Sequence, residues 1–191
     1  MRTVQRDLFV LSSLLLLGTL ALTGCTPEPA PPAPQASETS APTDSPVFAS
    51  DEEALAAATE AYAAYLRTSD EISAAGGVGS ERMEPLVSSG LFQSELEGFQ
   101  GFVDANARSV GETTFIVQGM QSAAYLRPEQ TTISLYVCEN VTGLDVIDPV
   151  GNSLVSDSRQ PITPFEVRFK MDAGLRLILE YRSAWRGENF C

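Results

Sequence analysis

The sequence predicts an α+β fold over residues 50–191, in which N-terminal helices pack on a curved antiparallel β-sheet. Apolar residues recur at helical spacing early in this range, and from Thr113 onward they alternate as strand residues do. Helices that precede a run of strands are typical of α+β domains, where the helices cover one face of the sheet. The range is long enough for one domain with a sizeable core.

The first helix is expected to begin after Ser50. Ser50 and Glu53 have the spacing of a capping box, whose side chains bind free backbone N–H groups at the helix start. Gly76, Gly77 and Gly79 then end the helix. The stripe expected to face the core comprises Leu55, Ala58, Tyr62, Tyr65, Leu66, Ser69 and Ile72.

A second helix is predicted over about residues 91–107. Glu84 followed by Pro85 suits a short helical turn before it, because proline is tolerated at the first helical position. Gly98 and Gly101 are unfavourable inside a helix. The core-facing side of this helix would carry Phe92, Leu96, Phe99 and Val103.

Strands fill the second half of the domain. Residues 113–126 are rich in β-forming side chains, and Pro128 ends that segment. The next segment has two alternating faces. One face carries Ile133, Leu135, Val137 and Val141, and the other carries Thr132, Ser134, Tyr136 and Cys138. Residues 148–151 have Asp, Pro and Gly where a type I turn prefers them.

The last hairpin has the most specific predicted register. A three-residue loop at Asp172, Ala173 and Gly174 would place four apolar pairs on one face. These pairs are Met171–Leu175, Phe169–Leu177, Val167–Leu179 and Phe165–Tyr181. The same register opposes like charges on the other face, Lys170 to Arg176 and Glu166 to Glu180. Apolar burial of about 1.5–3 kcal/mol per side chain outweighs exposed charge terms of at most about 1 kcal/mol, so we expect this register.

The first residues of the chain have the pattern of an export signal. Arg2 and Arg6 precede an apolar run over residues 8–22, and small residues follow it. A charged start, a short apolar middle and a small-residue cleavage region form a secretory signal peptide. We therefore expect residues 1–24 to be removed. No other apolar run approaches the ~18–20 residues that a spanning helix needs.

Leu22, Thr23 and Gly24 directly precede Cys25. This stretch resembles the lipobox of bacterial lipoproteins, in which the cysteine thiol receives a diacylglyceryl group and becomes the first mature residue. The resemblance implies a lipid-anchored protein on the outer face of the bacterial cell membrane, with the membrane contacted through the acyl chains on Cys25. The alternative is that Cys25 is an ordinary small residue of a signal peptide that is cleaved nearby.

Residues 25–49 are predicted to be a disordered linker that begins with the lipidated cysteine. Seven prolines lie there among Ala, Ser, Thr and a few acidic residues. Such a segment cannot bury enough apolar area to offset its ordering entropy. The linker would hold the domain away from the membrane.

The charge of the chain excludes one class of partner. The formal net charge is −13, and the mature chain would keep 10 of 12 cations and 24 of 25 anions, a net charge of −14. This charge repels phosphate backbones, so we expect no nucleic acid partner. The alternative meaning of an acidic surface is solubility alone.

Histidine is absent from the sequence. Ser-His-Asp and Cys-His mechanisms are therefore unavailable, as are zinc sites built on imidazole. We expect no catalytic residue, no metal and no cofactor.

Cys138 and Cys191 remain once Cys25 is assigned to lipid. Export places both in an oxidising compartment, where a pair of cysteines is expected to be bridged. The disulfide would hold the C-terminal tail after Trp185 on the sheet. The alternative, a reactive thiol at Cys138, lacks a histidine to activate it.

Two stretches carry a family resemblance. The first is AYAAYLRTSDEISAAGG at residues 61–77, and the second runs from YVCENV at Tyr136 through DVIDPVGNSLV and TPFEV to WRGENFC. They resemble actinobacterial lipoproteins of the nuclear transport factor 2-like superfamily, the cone fold shared with ketosteroid isomerase and SnoaL-type cyclases. The resemblance implies a cone-shaped domain with a pocket between helices and concave sheet, and it implies little about activity.

A cone pocket would have five candidate lining residues, Tyr62, Tyr65, Tyr136, Tyr181 and Glu139. The resemblance points to them because isomerase-type members use tyrosine and carboxyl groups. Tyrosines on an apolar face are also ordinary core residues with the hydroxyl at the edge. Glu139 interrupts an apolar face, which a strand at an edge or rim would explain. Cyclase members generally rely on a histidine that is missing here.

Three functions remain open from the sequence. The leading hypothesis is a non-catalytic binding or interaction domain presented in the envelope to an unknown envelope protein. The second is a carrier or sensor that holds a small apolar ligand in the cone. The third is an isomerase-type enzyme that uses tyrosine and carboxylate. Partner, ligand and oligomeric state are not encoded in any recognisable motif.

Overall fold

The computed structural model describes residues 45–191, which form two α-helices followed by six β-strands. The helices are α1 (Asp51–Ala74) and α2 (Ser89–Ala105), with a 3₁₀ helix at Ser80–Leu86 between them. The strands are β1 (Arg108–Val110), β2 (Thr114–Ala124), β3 (Thr132–Asn140), β4 (Asp145–Ile147), β5 (Ile162–Met171) and β6 (Leu177–Ala184). The predicted signal peptide, Cys25 and most of the linker lie outside the described residues.

Four strands form one antiparallel sheet in the order β2-β3-β5-β6, and β1 pairs with β4 in a separate two-stranded sheet. β3 and β5 are therefore interior strands, and β2 and β6 lie at the edges. The predicted α+β class, with helices before an antiparallel sheet, is confirmed. Within residues 45–191, no helix is both long enough and apolar enough to cross a membrane.

Helix α1 begins as its sequence predicts. The Ser50 hydroxyl accepts a hydrogen bond from the Glu53 backbone N–H at 3.3 Å, and the Glu53 carboxylate accepts one from the Ala49 N–H at 2.7 Å. The helix ends before two glycines with positive φ. Gly77 is required there, because a Cβ would lie 2.3 Å from the Phe99 carbonyl oxygen.

Helix α2 starts two residues earlier than predicted and passes through Gly98 and Gly101. The Ser88 hydroxyl caps it by accepting the Leu91 N–H. Both glycines lie on the exposed side, so they cost helix propensity without disturbing the packing. Phe99 is buried as expected, whereas Val103 is half exposed.

The core lies between the helices and one face of the large sheet. β3 contributes Ile133, Leu135 and Val137, which alternate as the sequence predicts and are fully buried. They pack with buried residues of other elements, namely Tyr62, Ile72, Met83, Val167, Phe169 and Leu179. This inner face carries the candidate site described below.

The predicted register of the last hairpin is wrong. Met171 pairs with Leu177 and Phe169 with Leu179, a shift of two residues. A β-bulge follows, so that beyond it Val167 faces Arg182 and Phe165 faces Ala184. The opposed like charges of the predicted register are also avoided: Lys170 faces Ile178 and its ammonium lies 3.2 Å from the Glu180 carboxylate.

Asp172 accounts for the shifted loop. One carboxylate oxygen accepts backbone N–H bonds from Gly174 at 2.9 Å and Arg176 at 2.8 Å, and the other binds the Arg176 guanidinium at 2.7 Å. These bonds leave Leu175 in the left-handed position, with φ of 59°. Loop-capping hydrogen bonds thus outweigh the preference of glycine for that position.

Replacing Leu175 by glycine is expected to stabilise the domain by about 0.5–1 kcal/mol, because a left-handed backbone strains any side chain with a Cβ. Leu175 is 66% exposed, so its removal costs little buried area. Urea denaturation of Leu175→Gly measures the change. A clear loss of stability would instead support the predicted register, in which Leu175 pairs with Met171 in the strand.

The turn at residues 148–151 forms as predicted. The Gly151 N–H donates to the Asp148 carbonyl at 3.1 Å, and Gly151 has φ of 94°. The Asp148 carboxylate also accepts the backbone N–H groups of Val150 and Asn152. The turn connects β4 to the long loop before β5.

Candidate functional site

The structure separates the five candidate pocket residues onto two faces of the sheet. Tyr62 and Tyr65 project from α1 toward the inner face of the sheet, where Glu139 of β3 lies beside them. Tyr136 and Tyr181 lie on the opposite face, because they alternate with inward-pointing neighbours along β3 and β6. Glu139 is on an interior strand and is only 4% exposed, so its expected position at an edge or rim is wrong.

Glu139 is the centre of a buried polar cluster. Its two carboxylate oxygens accept hydrogen bonds from the Arg182 guanidinium, at 2.9 Å from Nε and 2.5 Å from Nη2. The Tyr62 hydroxyl donates to the same carboxylate. Arg182 Nε also lies 3.3 Å from the Tyr62 oxygen. The three side chains therefore satisfy one another inside the core.

Aromatic rings enclose this cluster. The Arg182 guanidinium carbon lies 3.9 Å from the centre of the Phe165 ring, a cation–π geometry. The Tyr62 ring packs edge-on against Phe115 at 5.1 Å and Phe169 at 6.2 Å. Because Glu139 is almost fully buried and Arg182 is mostly buried, their charges depend on each other for stabilisation.

Within the cluster, the pKa values of Tyr62 and Arg182 are both raised. Burial raises the pKa of Tyr62 well above its ordinary value, and the Glu139 carboxylate raises it further. Burial by itself would lower the pKa of Arg182, but Glu139 together with Tyr62 and Tyr65 outweighs that effect and raises it. The phenol therefore keeps its proton and the guanidinium keeps its charge at every physiological pH.

A second tyrosine–carboxylate pair lies beside the first. The Tyr65 hydroxyl donates to Glu95 of α2 at 2.9 Å. Burial raises the pKa of Glu95, and the Tyr65 hydrogen bond and the Arg182 charge offset only part of that rise. Burial also raises the pKa of Tyr65. Glu95 is thus a partly buried carboxyl group that forms no ion pair with a cation of residues 45–191.

These groups border a cavity of about 280 Å³ between α1, α2 and the sheet, hereafter the helix–sheet cavity. Its polar lining includes Tyr65, Asp70, Glu95, Ser109, Glu139 and Arg182. Its apolar lining is formed by Leu66, Phe102, Val141, Leu144 and Val146. Sheet, helices and the small β1–β4 sheet all contribute, so the cavity exists only in the assembled fold.

Asp70 and Ser109, two polar residues of the lining, differ in the number of hydrogen bonds that they form. The Asp70 carboxylate accepts two hydrogen bonds from Thr113, from its N–H at 2.7 Å and its hydroxyl at 2.8 Å. The Ser109 hydroxyl, on β1, is buried and has no hydrogen-bond partner within residues 45–191. A buried polar group without a partner costs free energy, so Ser109 marks a place where a ligand or water would be stabilised.

A larger groove of about 610 Å³ lies outside the helix–sheet cavity, between α1 and the start of β2. Asp70 and Thr113 line both spaces, so their hydrogen bonds form part of the wall between them. The groove is open, and its charged lining residues Arg67, Glu71 and Glu112 are exposed to solvent. It lacks the buried, unsatisfied groups that distinguish the inner cavity.

The predicted disulfide between Cys138 and Cys191 is confirmed, with Cα atoms 5.7 Å apart. It holds the C-terminal tail against the outer face of the sheet. There Tyr136 packs against Trp185 at 5.3 Å and Phe190 at 5.2 Å between ring centres. Tyr136 therefore contributes to a structural aromatic cluster and not to the helix–sheet cavity.

Tyr181 is also on the outer face, where it is 39% exposed and the Arg168 guanidinium lies over its ring at 5.2 Å. The β-bulge at Glu180 causes this placement. With the bulge, Arg182 takes the inward position that the predicted register gave to Tyr181.

The sequence reading missed Arg182, Glu95 and Ser109. Glu139 itself was the available signal for Arg182, because a carboxylate on an apolar strand face requires a cation or hydrogen-bond donor nearby. Nothing local distinguishes Glu95 from the exposed Glu97 on the same helix. Among the residues that the structure describes, no group of three or more His, Cys, Asp or Glu could hold a metal ion.

Comparisons with known proteins add little. No family model matches the chain, and no curated protein matches it. Among solved structures, the intermembrane space region of chloroplast protein ARC6 is similar, with 7% sequence identity, a TM-score of 0.49, and coverage of 68% of this chain and 95% of that chain. A likeness at this level carries no inference about this chain.

Proposed function

We propose that this chain is a lipid-anchored protein on the outer face of the bacterial cell membrane, and that its folded domain is a non-catalytic binding module of the cone type. The lipobox-like stretch before Cys25 supports the anchor. The helix–sheet cavity is the single observation that carries the binding role, because it combines a concave space between helices and sheet with a few polar lining groups.

The hydrogen bonds of the two inner tyrosines argue against catalysis. An isomerase-type site needs an acidic hydroxyl that is free to donate to a developing oxyanion. Tyr62 donates its only O–H to Glu139, and Tyr65 donates its only O–H to Glu95. Neither hydroxyl is free for a substrate, and the Glu139 carboxylate is held by Arg182.

The cavity lining favours a polar ligand over the apolar ligand considered from the sequence. An entirely apolar molecule would desolvate the free oxygen of Glu95 without compensation and would leave the Ser109 hydroxyl without a partner. A protein partner remains the alternative occupant of the module, and it would bind an outer surface and leave the cavity unaffected.

One experiment tests both halves of the proposal. Protein extracted from membranes with mild detergent is expected, by native mass spectrometry, to carry an acyl mass on Cys25 and a small non-covalently bound molecule. Cys25→Ser should lose the acyl mass and leave the membrane fraction, or stay unprocessed, while the folded domain still binds the molecule. A bare N-terminus at another residue would contradict the anchor, and a wild-type domain that never carries a small molecule would contradict the binding role.

A further inference from the structure

We infer that the helix–sheet cavity binds a small organic cation, an amine or amidine with a short apolar body, whose charged group is held by Glu95. This inference deepens the proposed binding function and rests on it. It depends on the unsatisfied acceptors in the cavity, on the charge of its lining, and on the shape of its apolar wall.

Glu95 supplies the acceptor. Its Oε1 accepts the Tyr65 hydroxyl at 2.9 Å, and no donor within residues 45–191 reaches its other oxygen. The carboxylate is partly buried on helix α2, and no cation within residues 45–191 forms an ion pair with it. A partly buried carboxylate in this state is stabilised most by a ligand that brings a positive charge and an N–H donor.

The other charged groups of the lining already form hydrogen bonds within the protein. Arg182 binds both oxygens of Glu139, and Asp70 uses both of its oxygens for Thr113. Asp70, Glu95 and Glu139 contribute three carboxylates against the one guanidinium of Arg182, so the lining is net negative. The chain as a whole has a formal net charge of −13, which attracts cations toward the domain and repels anions.

The Ser109 hydroxyl is a second acceptor in the wall. It is 1% exposed and lacks a hydrogen-bond partner among the described residues. An ammonium or amidinium group has more than one N–H, so it can donate to Glu95 and to a second oxygen at once. Ser109 is thus an observation, independent of the acidic groups, that points to a polar ligand.

The apolar residues of the lining limit the size and character of the rest of the ligand. Leu66, Phe102, Val141, Leu144 and Val146 provide an apolar surface. The volume of about 280 Å³ equals that of roughly nine water molecules at ~30 Å³ each. A ligand of roughly ten non-hydrogen atoms, with one charged end and one apolar end, therefore fits.

Three probes of matched size and different charge test this inference: benzamidinium, benzyl alcohol and benzoate. Each is titrated into the ¹⁵N-labelled mature chain with Cys25→Ser, and amide shifts are followed by NMR. We expect saturable shifts at Glu95, Ser109 and Phe102 with benzamidinium, with a dissociation constant of about 1 mM. Benzoate should leave these amides unshifted.

Two glutamine variants on the same helix separate binding from folding. Glu95→Gln should weaken benzamidinium binding about tenfold or more, whereas Glu97→Gln, at an exposed position, should leave it unchanged. Because the pKa of Glu95 is raised in the fold, its charge opposes folding at neutral pH, and this opposition disappears as pH falls below that pKa. Glu95→Gln should therefore melt no lower than wild type at pH 7.

The outcomes distinguish this inference from the proposed function. If benzyl alcohol or benzoate binds at the cavity amides more tightly than benzamidinium, the inference that the ligand is a cation is wrong. The proposed role of the cavity in ligand binding would still stand. Binding of benzamidinium that Glu95→Gln does not weaken would overturn the role of Glu95. If no probe shifts any cavity amide, the inference and the binding role of the cavity fall together.

Discussion

Replacing Glu139 by leucine is expected to destabilise the domain by about 3–5 kcal/mol, because it leaves the Arg182 charge without its partner in the core. Only 26% of the Arg182 side chain is exposed, and its guanidinium donates two hydrogen bonds to the Glu139 carboxylate. The Tyr62 hydroxyl loses its acceptor in the same variant. Urea denaturation measures the change as a shift of the midpoint at constant slope.

Two further variants make this prediction specific. The triple variant Tyr62→Phe, Glu139→Leu, Arg182→Met removes all three polar partners together and should recover most of the loss, since apolar replacements of similar volume are often neutral. Glu180→Ala removes the exposed Lys170–Glu180 ion pair of the same sheet and should cost less than about 1 kcal/mol. A Glu139→Leu protein as stable as wild type would show that the buried ion pair does not form.

Removing the disulfide is expected to cost about 4 kcal/mol, since Cys138 and Cys191 are 53 residues apart and the bond restricts a long loop in the unfolded chain. The variant is Cys138→Ser with Cys191→Ser, in protein that already carries Cys25→Ser, so that no thiol remains among the chain's three cysteines. Thermal and urea denaturation measure the loss.

Trp185 in the C-terminal tail provides a fluorescence signal for the variant that lacks the disulfide. Trp185 packs against Tyr136 and Phe190, and the disulfide anchors the end of this segment to β3. Release of the tail should therefore shift Trp185 fluorescence to longer wavelength before global unfolding. Denaturation midpoints and emission that are identical to those of the bridged protein would contradict the structural role of the bond.

Local patterns predicted those features whose causes are local. The apolar stripe of α1, its Ser50 cap and the alternation of β3 each depend on neighbours a few residues apart. The disulfide followed from cysteine count and export, without any geometry. The inward position of Glu139 also followed from alternation, although its burial did not.

The wrong predictions concern features that depend on a backbone irregularity or on a contact between distant residues. The spacing of apolar residues in the sequence encodes neither. Hydrogen bonds from Gly174 and Arg176 to the Asp172 carboxylate moved the hairpin loop. The bulge at Glu180 then placed Arg182 on the inner face instead of Tyr181. The pairing of Glu95 with Tyr65 needs α2 to pack beside α1, 30 residues away along the chain. Periodicity therefore indicated Tyr65 and Glu139 but could not place Arg182 or Glu95 beside them.

A crystal structure of the protein extracted from its own membranes tests the binding role of the helix–sheet cavity most directly. The account predicts electron density for a small molecule inside the cavity, with a nitrogen within hydrogen-bond distance of Glu95 and its apolar part against Phe102 and Leu144. A cavity filled by those two side chains, with the Glu95 carboxylate turned to solvent, would contradict it.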